Sequence, residues 1–199
     1  MNLPNKLTVL RVILTPVFMV TLLWNFEHHY AVALLIFIIA SLTDMLDGKI
    51  ARSRGLVTDF GKFLDPLADK MLTTAAFLGF IPLNIGAGVV WMAFIVLFRE
   101  FAISSIRLIA VSSGGKVIAA NIWGKLKTVL QMVAIIFALT AKEAEAVLGY
   151  FNLEPQLLSN LSLGLNIAIT VLLWISTILC IISGAVYLGD NKAILKDTK

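Results

Sequence analysis

The sequence is short of charge, of cysteine and of polar linkers. Only 14% of its 199 residues are Asp, Glu, Lys or Arg, and it has one cysteine and five prolines. Each shortage excludes something. Cys180 alone closes no intrachain disulfide and has no partner for a thiolate metal site; set in the apolar stretch 167–182, it reads as packing. A chain with 59% hydrophobic residues and a mean hydropathy of +0.94 is excluded as a soluble domain, because a compact globule cannot hide that much apolar side chain. With no Ser/Gly/Pro-rich linker, internal repeat or low-complexity segment, residues 1–199 read as a single membrane domain. The start, 1–24, lacks a small-residue cleavage site and reads as a retained first span.

What the chain has in quantity is long apolar runs. A membrane-crossing helix needs about 20 largely apolar residues, and such runs fall at 10–25, 30–50, 63–83, 87–111, 122–141 and 161–188. The expected fold is therefore an all-α integral membrane protein with six transmembrane helices. A short N-terminal interfacial segment, 3–7, precedes the first, with Asn5 available as a helix cap. Basic residues flank these spans asymmetrically. With the N-terminus inside, one side receives Lys6, Arg11, Lys49, Arg52, Arg54, Lys62, Lys70, Arg107, Lys116, Lys125, Lys127, Lys192, Lys196 and Lys199. The other receives Lys142 against Glu27, Glu143, Glu145 and Glu154. Both termini are thus expected in the cytoplasm. The net charge of +4 reports topology and anionic headgroups, and no nucleic-acid partner is expected. His28 and His29 read as a solvated outer turn, and no role suggests itself for the outer segment 142–160.

Against this apolar background stand four acids in two pairs. Asp44 and Asp47 are three apart near the end of span two; Asp65 and Asp69 are four apart near the start of span three. On helices these spacings put each pair on one face. The spans run antiparallel through a short connection, so both pairs lie at similar depth. A charge at mid-membrane costs roughly 2.5–3.5 kcal/mol on insertion scales, and crowded carboxylates repel unless cations intervene. The plainer alternative, interfacial acids paired with Lys49, Arg52, Lys62 and Lys70, accounts for one or two of them but not for two pairs at helical spacing. A donor set of carboxylates without nearby His or Cys favours hard divalent ions, Mg2+ or Mn2+, and four Asp suffice for two ions. Two ions a few ångströms apart suit an in-line displacement at phosphorus. Gly48 and Gly61 leave room for phosphate or nucleotide against backbone, unless they serve helix packing. Arg52 offers a guanidinium to phosphate oxygens.

Asp44-x-x-Asp47-Gly48-x-x-Ala51-Arg52, eight residues, then Gly61-x-x-x-Asp65-x-x-x-Asp69 matches the signature of the CDP-alcohol phosphotransferase family at all eight fixed positions in a 26-residue window. The resemblance implies a six-helix fold and attack by an alcohol on the lipid-linked phosphorus of CDP-diacylglycerol, with release of CMP. It also implies roles. Asp44, Asp47, Asp65 and Asp69 would be metal ligands, Asp65 and Asp69 catalytic, and Asp69 the general base. Asp44, Gly48, Ala51, Arg52 and Gly61 would form the CDP site. Family members commonly form homodimers, and this chain is expected to do so.

For the acceptor, Arg99, Arg107, Lys125 and Lys127 are the basic residues best placed to bind an anion, although Arg99 with Glu100 also suits a buried ion pair and the lysines also suit topology. Arg99-Glu100, Ser104-Ser105-x-Arg107 and Gly124-Lys125-x-Lys127-Thr128 resemble the phosphatidylglycerophosphate synthase branch of the family. So do Pro4-Asn5-x-Leu7-Thr8-x-x-Arg11 and Ser183-Gly184-x-x-Tyr187. The resemblance then implies sn-glycerol 3-phosphate as acceptor, phosphatidylglycerol phosphate and CMP as products, and a multi-pass protein of the bacterial plasma (inner) membrane with its site facing the cytoplasm. Phosphatidylglycerol, serine or an inositol phosphate are the alternative acceptors. A cation transporter is the remote alternative, since intramembrane acids also mark ion pathways.

Overall fold

A computed structural model describes residues 3–54, 59–112, 122–151 and 153–190. Of residues 3–4, 44–54, 59–67, 69, 107 and 109–112 it describes the backbone alone. The described residues form six helices and no strand: α1 (Leu3–Leu23), α2 (His29–Arg54), α3 (Asp59–Phe80), α4 (Val89–Ser112), α5 (Ile122–Leu148) and α6 (Pro155–Asp190).

The apolar runs set these elements, but two boundaries differ from the sequence reading. α1 is continuous from Leu3, so 3–7 is no separate segment and Asn5 lies inside the helix instead of capping it. Pro4 is tolerated there because a helix's first turn has no N–H partner to lose. Asn5, Thr8, Arg11 and Thr15 are all buried, a polar stripe at helical spacing that faces inward. Thr15 Oγ1 returns a hydrogen bond to the Arg11 carbonyl over 2.9 Å. α5 and α6 also run past the expected spans, so most of 142–160 is helix. At 36 residues, α6 is about 54 Å long at 1.5 Å per residue.

Among the described residues, four helices are long and apolar enough to cross a bilayer: Asn5–Leu23, Val89–Ile106, Ile122–Leu148 and Pro155–Asp190. The described apolar part of α2, His29–Thr43, is shorter.

Packing follows from small residues. Helices in lipid gain little hydrophobic energy by associating, so close van der Waals approach must hold them together. Ala33, Ala40, Ala76, Ala134 and Ala138 are buried where helices meet, with Phe18, Phe37, Phe77 and Phe80 filling the space between. α1 packs on α2 and α3, α5 on α6 and α2, and α4 on α6 and α3. A Cβ on Gly79 would stand 2.6 Å from Leu22 Cδ2, so a side chain there would make the Leu22 side chain shift where α3 meets α1. The outward faces are apolar instead: Ile13, Val17 and Val20 on α1, and Trp91, Phe94, Phe98 and Phe101 on α4. Polar inside and apolar outside is the arrangement a bilayer selects.

Candidate active site

The four acids lie on the two helix ends that face each other across the short connection 55–58. Asp44 and Asp47 are ten and seven residues before the end of α2 at Arg54; Asp65 and Asp69 are six and ten after the start of α3 at Asp59. At 1.5 Å per residue these offsets are about 15, 10, 9 and 15 Å. The offsets along the two helices are thus alike, and helical backbone runs through all four positions. Gly48, Ala51 and Arg52 follow on α2, and Gly61 precedes Asp65 on α3. The side chains of Asp44, Asp47, Gly48, Ala51, Arg52, Gly61, Asp65 and Asp69 lie outside the described residues, as does that of Arg107 on α4. Among the described residues, no group of three or more His, Cys, Asp or Glu could hold a metal.

The basic residues singled out for an anionic acceptor divide into two groups. Arg99 and Lys127 come together through Glu100. Arg99 Nη1 donates to Glu100 Oε1 over 2.9 Å, and Lys127 Nζ donates to the same oxygen. Lys70 Nζ stands 3.9 Å from Glu100 Oε2 and donates to Ser104 Oγ. That hydroxyl in turn donates to the Glu100 carbonyl over 2.7 Å. Arg99 Nη2 donates to Ser183 Oγ on α6 over 2.9 Å. One carboxylate thus gathers cations from α3, α4 and α5, with a hydroxyl from α6.

Most of the network is deeply set: side-chain exposure is 8% for Lys127, 12% for Glu100 and 14% for Arg99, but 35% for Lys70. Gly184 makes the α4–α6 contact possible, since a Cβ there would meet Arg99 Cγ at 3.1 Å. Lys125 does not join it. Two residues before Lys127, it lies about 200° round the helix and is exposed.

Arg99 Nε and Gln131 Nε2 are buried without a hydrogen-bond partner in the structure; of the two residues, Gln131 was not anticipated. Gln131 lies one turn beyond Lys127 on the buried face of α5. The available signal was a lone amide within an apolar run, four residues from a lysine. Lys70 was equally unanticipated here; its sequence signal is adjacency to Asp69, which puts the cation group beside the acid-bearing face of α3.

Chemically, the arrangement joins two opposite environments. Four carboxylate positions stand on α2 and α3, and a group of cations converges on Glu100.

Comparison with known proteins bears on the same residues. The family described as CDP-alcohol phosphatidyltransferase matches residues 1–182. The CDP-diacylglycerol–glycerol-3-phosphate 3-phosphatidyltransferase of Bacillus subtilis (strain 168) is 38% identical, over 98% of this chain and 97% of its own. Proteins of the same name from Haemophilus influenzae and Rickettsia bellii are 35% and 33% identical, over 98% and 94% of this chain and 96% and 93% of theirs. The match includes both acid-bearing helices and the helices that carry the cation group, and the chain belongs to the CDP-alcohol phosphatidyltransferase family.

Proposed function

We propose that this protein transfers the phosphatidyl group of CDP-diacylglycerol to sn-glycerol 3-phosphate, giving phosphatidylglycerol phosphate and CMP. The observation that carries this reading is the name shared by relatives aligned over 94–98% of the chain. The buried cation group around Glu100 supports it independently, because it suits an acceptor that brings a phosphate.

The donor set tests whether a metal fits. Asp44, Asp47, Asp65 and Asp69 would hold two divalent cations, Mg2+ or Mn2+; the all-oxygen chemistry and the like offsets along α2 and α3 agree with that. When bound, such ions neutralise a diphosphate and its departing oxygen. The chain's own residues do the rest. Gly48, Ala51, Arg52 and Gly61, with Asp44, form the CDP site. Arg99, Arg107 and Lys127 bind the acceptor's phosphate, with exposed Lys125 attracting it from solvent. Asp69 accepts the proton of the acceptor's primary hydroxyl as that oxygen bonds to the lipid-linked phosphorus; the bond to CMP breaks, and Asp65 helps hold the geometry. A positioned carboxylate base contributes about 10²–10⁴-fold to such a step.

The same reading makes the chain a single six-span domain. α2 and α3 cross with their acid-bearing ends toward the cytoplasm, and both termini lie on that side. It is a homodimer of the bacterial plasma membrane, with the lipid donor entering from the bilayer and the acceptor from the cytosol. The steep asymmetry of basic residues supports the orientation.

Purified protein supplied with CDP-diacylglycerol and a divalent cation should release CMP fastest with sn-glycerol 3-phosphate, and chelation should stop it. Faster release with serine, phosphatidylglycerol or an inositol phosphate would overturn the acceptor assignment. Ion flux in liposomes with no CMP from any acceptor would overturn the enzyme.

A further inference from the structure

Gln131 is a primary amide inside an apolar helix, 2% exposed, and its Nε2 has no hydrogen-bond partner in the structure. Buried hydroxyls elsewhere in the bundle close on their own backbone. Thr15, Thr43, Ser176 and Thr177 each donate to a carbonyl of their own helix over 2.7–2.9 Å. Gln131 makes no such bond. A buried donor left unmade costs its whole desolvation, whereas methionine or leucine of similar volume would fill the site without that cost. The amide therefore weakens the fold, and such local conflicts belong where function requires them.

Its position indicates what it meets. On the buried face of α5, Lys127 and Gln131 are succeeded by Ala134, Ile135, Ala138 and Leu139. Gln131 thus ends a polar tract whose other member, one turn away, is Lys127. Lys127 in turn donates to the carboxylate oxygen that Arg99 engages. α5 packs on α2 and α3, the helices that carry the acids, as well as on α6. Residues one turn apart stand about 5–6 Å from each other at Cβ, comparable to the reach from the phosphorus of a glycerol phosphate to its hydroxyls.

In the function proposed above, the acceptor's phosphate falls to Arg99, Arg107 and Lys127, and its primary hydroxyl attacks. The hydroxyl on the middle carbon is left without a partner. A hydroxyl both donates and accepts, and a carboxamide can answer both. An anionic phosphate oxygen only accepts, and the charged donors nearby bind it more strongly than an amide does.

We propose that Gln131 is a specificity-determining residue of the acceptor site. Its amide hydrogen-bonds the hydroxyl on the acceptor's middle carbon, one turn from the lysine that takes the phosphate. An acceptor lacking that hydroxyl leaves the amide unpaired and is disfavoured. This rests on the phosphate-bearing acceptor proposed above.

The test compares kcat/KM for sn-glycerol 3-phosphate and 3-hydroxypropyl phosphate, which keeps the phosphate and the primary hydroxyl but lacks the hydroxyl between them. Full-length protein with CDP-diacylglycerol should prefer glycerol 3-phosphate on the order of 30-fold, the scale of leaving one buried polar group unpaired. Gln131→Met should lose that preference to within about twofold, through a lower kcat/KM for glycerol 3-phosphate, while the KM for CDP-diacylglycerol changes less than about twofold. Its melting temperature without acceptor should equal or exceed that of the unsubstituted protein, because no bond of the fold is removed. Gln131→Leu repeats the comparison with a different shape.

A preference that survives in Gln131→Met overturns the proposal. So does a melting temperature lowered in both Met and Leu variants, since the amide would then be holding the fold. Release of CMP with glycerol 3-phosphate but no discrimination by the unsubstituted protein removes the role of Gln131 and leaves the function standing. Release with neither phosphate overturns the function, and the role of Gln131 with it.

Discussion

Among the described residues, two of the polar clusters are built on different charge plans. Around Glu100, cations from three helices converge on one carboxylate. At the end where α5 passes into α6, Lys142 Nζ donates to Glu145 Oε2 and to Asn166 Oδ1, each over 2.8 Å. Ser162 Oγ donates to the other Glu145 oxygen, and Asn166 Nδ2 donates to the Ser162 carbonyl over 2.8 Å. Here one cation meets one anion and neutral groups take the remaining valences. A closed cluster of this kind fastens helices, whereas the one around Glu100 is open to solvent at Lys70, whose side chain is 35% exposed.

The comparison is broken most severely at the acids beside the open cluster. Asp69→Asn keeps the shape and removes the proposed base, so turnover should fall by about three orders of magnitude while CDP-diacylglycerol binding partly survives. Equal loss of binding and turnover would make Asp69 a ligand only. Next in size is Arg107→Ala. Arg107 lies on the α4 stripe that includes Glu100 and Ser104, and its loss should raise the KM for glycerol 3-phosphate about tenfold and the KM for CDP-diacylglycerol much less. An unchanged acceptor dependence removes it from the pocket.

The closed cluster should respond in the other currency. Lys142→Met leaves Glu145 without its ion pair and should cost about 1–3 kcal/mol of stability, seen as a lower melting temperature. Turnover per folded molecule should not change. A raised acceptor KM in this variant would mean that the two ends are not separate.

How much of this was legible in the sequence depended on which periodicity was read. The helices were legible because long apolar runs leave few alternatives. That the acids fall on two helices was legible in the same way, whereas the shared face expected from offsets of three and four concerns side chains outside the described residues. The choice between Lys125 and Lys127 was missed, although the information was present. Lys127, Gln131, Ala134 and Ala138 follow one buried face of α5, while Ile122, Leu126, Val129 and Val133 are exposed. In a bilayer the apolar face points outward, so the lysine that shares a face with glutamine and alanines is the inner one. Asn5 was misread for a related reason. A polar residue near a helix start resembles a cap, whereas its spacing to Thr8, Arg11 and Thr15 marks an inward stripe. That Glu100 gathers cations from three helices was not legible, because it depends on how α3, α4 and α5 pack.

The mildest break lies at the turn between α1 and α2. His28 has a left-handed backbone, φ 60°, and its Nδ1 donates to Glu143 Oε1 over 2.5 Å. The other Glu143 oxygen accepts the Ala31 amide over 3.0 Å. The bond to Glu143 raises the His28 pKa above the ordinary imidazole value, with further help from the charges of Glu143 and Glu27 and some opposition from desolvation. Of the other titratable groups beside this turn, Tyr150 donates to Glu27 over 3.0 Å, His29 Nδ1 lies 3.0 Å from the Phe26 carbonyl, and Tyr30 packs against the His29 ring. A raised folded pKa means that the protonated clasp contributes its full stability below the unfolded value of about 6.5. That contribution is lost as pH rises through the folded value. The melting temperature of the unsubstituted protein minus that of His28→Gln should therefore be positive in mild acid and shrink steadily above neutrality. A difference that grows with pH would mean that His28 sits neutral in the fold and that the turn is held by Glu143 and the Ala31 amide alone.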